Sequence, residues 1–131
     1  MAGRVRVVGC FIEFKGKILL LYRKYDRLQG NKWGAVVGKV DDGESNSQAM
    51  MREIKEETGY AATIEELEFL GELMNIATYK LKLKQQLKIK LKLDEHQGFK
   101  WVTPEECFLM KDTVQGMSDF LKEAGYVYKK F

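Results

Sequence analysis

The sequence predicts an α/β domain in which a mixed β-sheet is covered by helices. Three observations carry that expectation. Short runs rich in β-branched and aromatic residues recur along the chain. One segment has both the start and the stop signals of a helix. Strands and helices are mixed without the regular alternation of a doubly wound sheet.

Residues 5–14 are β-branched and aromatic and predict a first strand, ended by Lys15-Gly16 as a turn. Residues 18–22 are almost wholly apolar, which suits a central strand covered on both faces. Residues 23–32 are polar with one glycine and predict a loop; residues 33–37 predict a short strand. The stretch "GKVDDGE" follows, a loop with an Asp-Gly turn signal. A helix is expected over residues 45–58. Ser45 and Gln48 have capping-box spacing, residues 49–53 and Lys55 favour helix, and Gly59 suits the left-handed position after the last turn. Residues 64–76 contain strand-like material. Residues 79–93 then alternate, with leucine or isoleucine at 81, 83, 87, 89, 91 and 93 and lysine at 80, 82, 84, 88, 90 and 92. A period of two predicts one long strand, or two broken near Gln85-Gln86. Residues 99–102 predict a further strand, residues 104–110 a short helix with Pro104 in its first turn, and residues 113–124 an amphipathic helix.

With 131 residues, the chain is most simply one domain, residues 1–131. Such a length buries roughly two thirds of its unfolded surface. Apolar residues make up 45% and charged residues 31%, the balance of a soluble globular protein. No apolar run approaches the ~20 residues of a membrane span, so no membrane partner is expected. The first residues, "MAGRVRVVGCFIEF", lack the apolar core and cleavage site of a signal peptide. Cys10 and Cys107 sit among apolar neighbours and are expected as reduced core thiols, which points to the cytoplasm. The net charge of +3 suits a phosphate-bearing ligand without implying nucleic acid. A single histidine excludes a histidine-rich metal site.

Within the predicted helix, "REIKEETGY" places Glu53, Glu56 and Glu57 at i, i+3 and i+4. Their carboxylates converge on one face, each like-charge neighbour costing roughly 0.2–0.5 kcal/mol. The helix C-terminus adds its own partial negative charge. A hard divalent cation relieves such a cluster: Mg²⁺ prefers oxygen ligands and bridges carboxylates to substrate phosphates. The alternative is a solvated acidic face, which is common on soluble helices.

Context favours the cation. From Gly38 the chain runs "GKVDDGESNSQAMMREIKEETGY": Gly38, five residues, Glu44, seven residues, Arg52-Glu53, Ile54, one residue, Glu56-Glu57, one residue, Gly59. This resembles the Nudix box of the MutT-like pyrophosphohydrolases at every fixed polar and glycine position. Tyr60 stands where an aliphatic residue is usual, and Val36-Val37-Gly38 replaces a common Pro-Gly-Gly turn. The resemblance spans roughly residues 5 to 125 and implies the Nudix αβα sandwich. It also implies hydrolysis of a nucleoside diphosphate linked to another group, by in-line attack of water on phosphorus with Mg²⁺, or Mn²⁺ in its place. By the same resemblance, Glu53 and Glu57 are the first choices for metal ligands. Glu56 is a third ligand or the group that deprotonates water, and Arg52 orients a carboxylate. The Gly38 carbonyl and Glu95 are further candidate ligands. Glu44 braces the loop, joins the metal shell or contacts substrate, and Arg23 is expected to reach substrate phosphate.

Other features have plainer readings. His96 could stack on a base or relay a proton, but a lone histidine is usually a hydrogen-bonded structural one, and that is expected here. Trp33, Phe99 and Trp101 are expected in the core. Tyr25 and Tyr79 are the candidates for an exposed ring, with Tyr79 a substrate contact. The lysine row reads as a solvated sheet face rather than a track for RNA, because it lacks interleaved aromatics. The segment "DEHQGFKWVTPEECFLMK" looks closest to diadenosine tetraphosphate hydrolases of the family. Nucleoside triphosphate pyrophosphatases of the MutT type are equally credible, so a nucleoside triphosphate or dinucleoside polyphosphate is the expected substrate. The alternatives are an RNA-associated, cap-type hydrolase and a non-catalytic nucleotide-binding module. Nothing in the sequence decides between monomer and homodimer.

Overall fold

The computed structural model describes residues 5–128. A seven-stranded mixed sheet is built on β1 (Val7–Phe14) and β2 (Lys17–Arg23), joined by a tight hairpin. The two strands stay paired only near that turn and then diverge. β1 is flanked by β4 (Val36–Lys39), antiparallel, and by β6 (Ile76–Lys82), parallel. β2 is flanked by β3 (Trp33–Gly34) and β7 (His96–Val102), both antiparallel. β5 (Leu67–Leu73) closes the edge beside β6.

Side chains of successive strand residues point to opposite faces, and both faces are buried. Val8, Cys10 and Ile12 of β1, with Leu19 and Leu21 of β2, pack under α1 (Asn46–Thr58) against Met50 and Ile54. Phe11, Ile18 and Leu20 pack on the other face beneath α2 (Pro104–Leu109) and α3 (Met117–Glu123), against Cys107, Phe120 and Leu121. The result is the expected αβα sandwich. Both cysteines are buried free thiols, and burial pushes both up, Cys107 to about 11. Among the described residues, no helix is long and apolar enough to cross a membrane.

The helix that carries the acids forms as its end signals require. Ser45 Oγ accepts from the Gln48 N–H at 3.1 Å, and Gln48 Oε1 accepts from the Ser45 N–H at 2.8 Å. Gly59 ends the helix at φ 85°.

Several elements differ from expectation. The strand expected over residues 33–37 is two strands. Ala35 marks the crossing where the chain leaves β2 and joins β1, so β4 is delivered to the edge of β1. Strand-like residues 64–76 begin with a 3-10 turn (Ile64–Glu66), and β5 and β6 meet at Met74-Asn75, both at positive φ. The alternating segment keeps its ladder only as far as Lys82. Beyond it, Leu83, Ile89 and Leu91 still pack on the core under α1, and the Lys90 N–H donates to Thr58 O at 2.8 Å. The period of two therefore reports a half-buried extended chain that docks on the helix end rather than a paired strand. The final helix begins at Met117, not at residue 113. Residues 112–114 instead run beside Trp33, and Gly116 at φ 80° resets the chain before the helix. Trp33 and Trp101 are half-buried, but Phe99 is 43% exposed, so its expected core placement is wrong: it lies on the outward side of β7.

Replacing Ser45 with alanine removes the reciprocal cap at the start of α1. It should lower unfolding free energy by about 1 kcal/mol in denaturant titration while leaving the native helix content unchanged.

Candidate active site

The three glutamates do not form a solvated face. Glu53 is 8% exposed and Glu57 1%, while Glu56 remains open to solvent. A carboxylate held in that degree of burial needs a compensating partner.

Arg52 supplies part of it. Its guanidinium grips Glu44 with two bonds, Nε to Oε2 at 2.8 Å and Nη2 to Oε1 at 3.0 Å. Nη2 also donates to the Lys39 carbonyl at 2.9 Å, and Nη1 donates to Glu53 Oε1 at 2.8 Å. Glu56 lies farther from the same nitrogen, at 3.3 Å. One planar donor thus ties the 39–44 loop to the helix and aims the Glu53 carboxylate. Glu44 Oε1 further accepts from the Asp41 N–H at 2.9 Å, so Glu44 braces the loop.

Gly38 on β4 explains its own identity. A Cβ built there would lie 2.1 Å from Glu53 Cδ. The strand backbone therefore passes directly against the carboxylate, which any side chain at 38 would displace.

From the opposite side the sheet brings Glu95 and His96. His96 opens β7 in register with Arg23 at the end of β2, and the Lys24 N–H donates to Glu95 O at 2.9 Å. Donor atoms of Glu57, Glu95 and His96 all lie within 4.8 Å of one another. His96 Nδ1 is 2.5 Å from Glu57 Oε2. The contact is misaligned for a hydrogen bond, and both atoms are buried without any hydrogen-bond partner. The expectation of a hydrogen-bonded structural histidine is corrected on this point: His96 is buried, but against a site carboxylate.

Burial pushes Glu53 and Glu57 up from the ordinary carboxylate range. Glu95 is held down, chiefly by the neighbouring Glu57 carboxyl and also by Lys92. Glu44 is held down by its bond from Arg52. Burial thus pushes the acids of the floor up, while their partners hold Glu44 and Glu95 at the rim down.

The acids open on a cleft of about 450 Å³. Glu53, Glu56 and Glu95 line it together with Arg23, Arg27, Lys39, Arg52 and Lys92. Arg23 anchors itself by donating from Nε to Leu28 O at 2.8 Å. An apolar pocket of about 260 Å³ adjoins the cleft and shares Arg23, Val37 and His96 with it; Leu21, Ala35, Met117 and Phe120 contribute its apolar wall. A cleft mixing carboxylates with five cations, beside an apolar pocket, suits a ligand with a polyphosphate and an apolar or aromatic end.

Most candidate residues converge here, with Arg52, Glu53, Glu56, Glu57, Gly38, Glu95, Arg23 and Glu44 in one region. Tyr79 does not. It is 8% exposed, packed in the core under α1 with Phe69 beside it, so its ring cannot serve as an exposed substrate platform. Tyr25 is 69% exposed. Sequence reasoning missed Lys92 and Arg27. Lys92 Nζ lies 3.3 Å from Glu95 Oε1 and 4.0 Å from Glu56 Oε2, and Arg27 lies 3.8 Å from Glu95. Lys92 was hidden as the last member of the lysine row, and its spacing from Glu95 was the available signal.

The donor set fits a divalent metal ion: carboxylate oxygens dominate it, and two of its buried atoms lack partners. The profile of the NUDIX domain matches residues 3–124. The chain belongs to the Nudix family. It is 34% identical over 109 residues to the CTP pyrophosphohydrolase of Escherichia coli (strain K12), a match covering 79% of this chain and 78% of that protein. Among solved structures, it resembles the MutT protein from Methanosarcina mazei Go1 at a TM-score of 0.73 and 25% identity, covering 92% of this chain and 91% of that one. It also resembles a C. elegans Ap4A hydrolase at a TM-score of 0.63 and 25% identity, covering 92% and 94%. The protein is thus a Nudix hydrolase acting on pyrophosphate bonds.

Two outcomes follow from this geometry. Gly38→Ala should fold with little loss of stability, because the Glu53 side chain can swing aside, yet reduce turnover at least about tenfold by misplacing that carboxylate. In the metal-free protein, the raised Glu57 value means that the folded state holds a proton that the unfolded state loses near 4.5. Its contribution to stability is full below that pH and is lost as pH rises through the folded-state value. Glu57→Gln removes this loss. The metal-free variant should therefore melt above the wild type at pH 7, with the difference closing below pH 4.5.

Proposed function

We propose that this Nudix hydrolase cleaves a nucleoside diphosphate linked to another group, with a nucleoside triphosphate as its first substrate class and a dinucleoside polyphosphate as its second. The observation that carries this reading is the junction of the acidic cleft with the apolar pocket at Arg23, Val37 and His96. A base in the pocket would leave its phosphates over the glutamates. The pocket lies near the lower end of small-molecule site volumes, about 300 Å³, and so accommodates one base better than two. Similarity to the CTP pyrophosphohydrolase supports the triphosphate class.

The proposed cofactor is a divalent ion, Mg²⁺ or Mn²⁺. Glu53, Glu57 and Glu95 would hold it, with Glu56 and the Gly38 carbonyl as further ligands. A divalent ion supplies charge neutralisation at phosphate and lowers the pKa of bound water. The chain's own residues do the rest. Arg52 keeps Glu53 aimed, Glu44 keeps the loop closed against the helix, and Arg23, Arg27 and Lys92 offer cations to the phosphate chain. Glu56, solvent-facing and bonded only weakly to Arg52, is free to take a proton from an attacking water.

The RNA-associated reading has weaker support. Lys82, Lys84, Lys88 and Lys90 are exposed, but no aromatic side chain alternates with them as a stacking platform. A non-catalytic module would not need the intact set of glutamates. Hydrolysis of nucleoside triphosphates, dinucleoside polyphosphates and sugar nucleotides should be measured with Mg²⁺ and with Mn²⁺, identifying every product. Turnover should be greatest for a triphosphate, and Glu57→Gln should reduce it by about two orders of magnitude or more with the fold intact. Full activity in that variant at limiting Mg²⁺ would remove Glu57 from the mechanism.

A further inference from the structure

We propose that His96 is itself a metal ligand, so that Glu57, Glu95 and His96 form a mixed oxygen–nitrogen site that prefers Mn²⁺ and similar transition-metal ions over Mg²⁺. The inference rests on the hydrolase reading but concerns only which atoms and which ions meet at the site.

Three observations support it. First, His96 Nδ1 and Glu57 Oε2 approach to 2.5 Å, and neither has a hydrogen-bond partner although both residues are more than nine-tenths buried. Buried polar atoms left this way are uncommon and call for a missing group. The pair is crowded closer than two ligands of one ion sit, and turning both atoms onto a shared cation would relieve the contact. Second, Glu95 adds a third donor, with all three atoms within 4.8 Å of one another. Ligands of one ion at about 2.0–2.2 Å lie roughly 3–4.4 Å apart, so small side-chain shifts complete the set. Third, the placement is enforced by backbone. His96 is paired with Arg23 where β7 meets β2, its N–H donates to Lys92 O at 3.0 Å, and Glu57 is held in the last turn of α1.

The nitrogen has a chemical consequence. Mg²⁺ is a hard ion that takes oxygen ligands and keeps its waters. Imidazole suits transition metals, whose affinity for mixed nitrogen–oxygen sites rises along the first row. An all-carboxylate site discriminates less between Mn²⁺ and Mg²⁺. His96 therefore gives this chain a built-in discrimination that the glutamate motif alone does not provide.

Because His96 is the chain's sole histidine, the test can be made on the untagged wild-type protein. Mn²⁺-loaded protein should show electron spin-echo modulation from a directly bound nitrogen, and that modulation should change when histidine is supplied with ¹⁵N. Calorimetric titration of His96→Gln should show Mn²⁺ affinity reduced about tenfold or more, with Mg²⁺ affinity changed less than about threefold. Mn²⁺ bound without a histidine nitrogen signal would overturn the proposal while leaving the hydrolase reading intact. Equal losses for the two ions would also overturn it, since they would show that His96 only positions Glu57. Failure of wild-type protein to bind either ion, with or without nucleotide, would defeat both readings.

Discussion

The guanidinium of Arg52 is the interaction on which the site depends. It holds Glu44 with two bonds, the Lys39 carbonyl with one and Glu53 with another, so a single side chain joins loop, strand end and helix. Lysine could not replace it, because one ammonium lacks the planar fork that meets three partners at once. The cluster around it also answers the electrostatic problem of the helix. Like charges near a helix C-terminus repel one another and the local dipole. Arg52 satisfies the upper carboxylates, but Glu57 lies deeper and beyond its reach. Among the described residues no lysine or arginine pairs with Glu57, which marks the floor as a candidate metal site.

The sheet serves the same end. Divergence of β1 from β2 opens the region into which β4 delivers Gly38 and β7 delivers His96. Had the two strands stayed paired along their length, neither the close pass of Gly38 over Glu53 nor the approach of Glu95 to Glu57 would be possible. The same divergence leaves the apolar pocket between β2, β4 and α3 beside the acids. The helix thus places Glu53, Glu56 and Glu57, while the loops after β2 and before β7 supply Arg27, Lys92 and Glu95.

Much of this was legible in the sequence because it depends on local chemistry. The capping pair of Ser45 and Gln48 and the glycine at 59 bounded α1 to within one residue, and the spacing of Gly38, Glu44 and the glutamates marked the site. What was not legible depends on tertiary contact. Tyr79 looked free because it begins a polar alternating run, yet its position in β6 turns the ring under α1. The lysine alternation continued past the end of its ladder because packing of Leu83, Ile89 and Leu91 on the core requires the same period as a strand. The Met74-Asn75 turn carries no glycine, so Asn75 was the sole local hint of its left-handed backbone. His96 was visible as a residue, but its contact with Glu57 joins positions 39 apart and only the fold brings them together.

The central claim is that the buried carboxylates of α1 exist to bring a cation, water and a phosphoanhydride together. It is tested most directly by running the reaction of the wild-type enzyme on a nucleoside triphosphate in ¹⁸O-labelled water, with divalent metal and with excess chelator. The predicted result is one labelled oxygen on a phosphorus product for each anhydride cleaved, and no cleavage without metal. Cleavage that continues at the same rate in chelator, or products free of solvent oxygen, would contradict it.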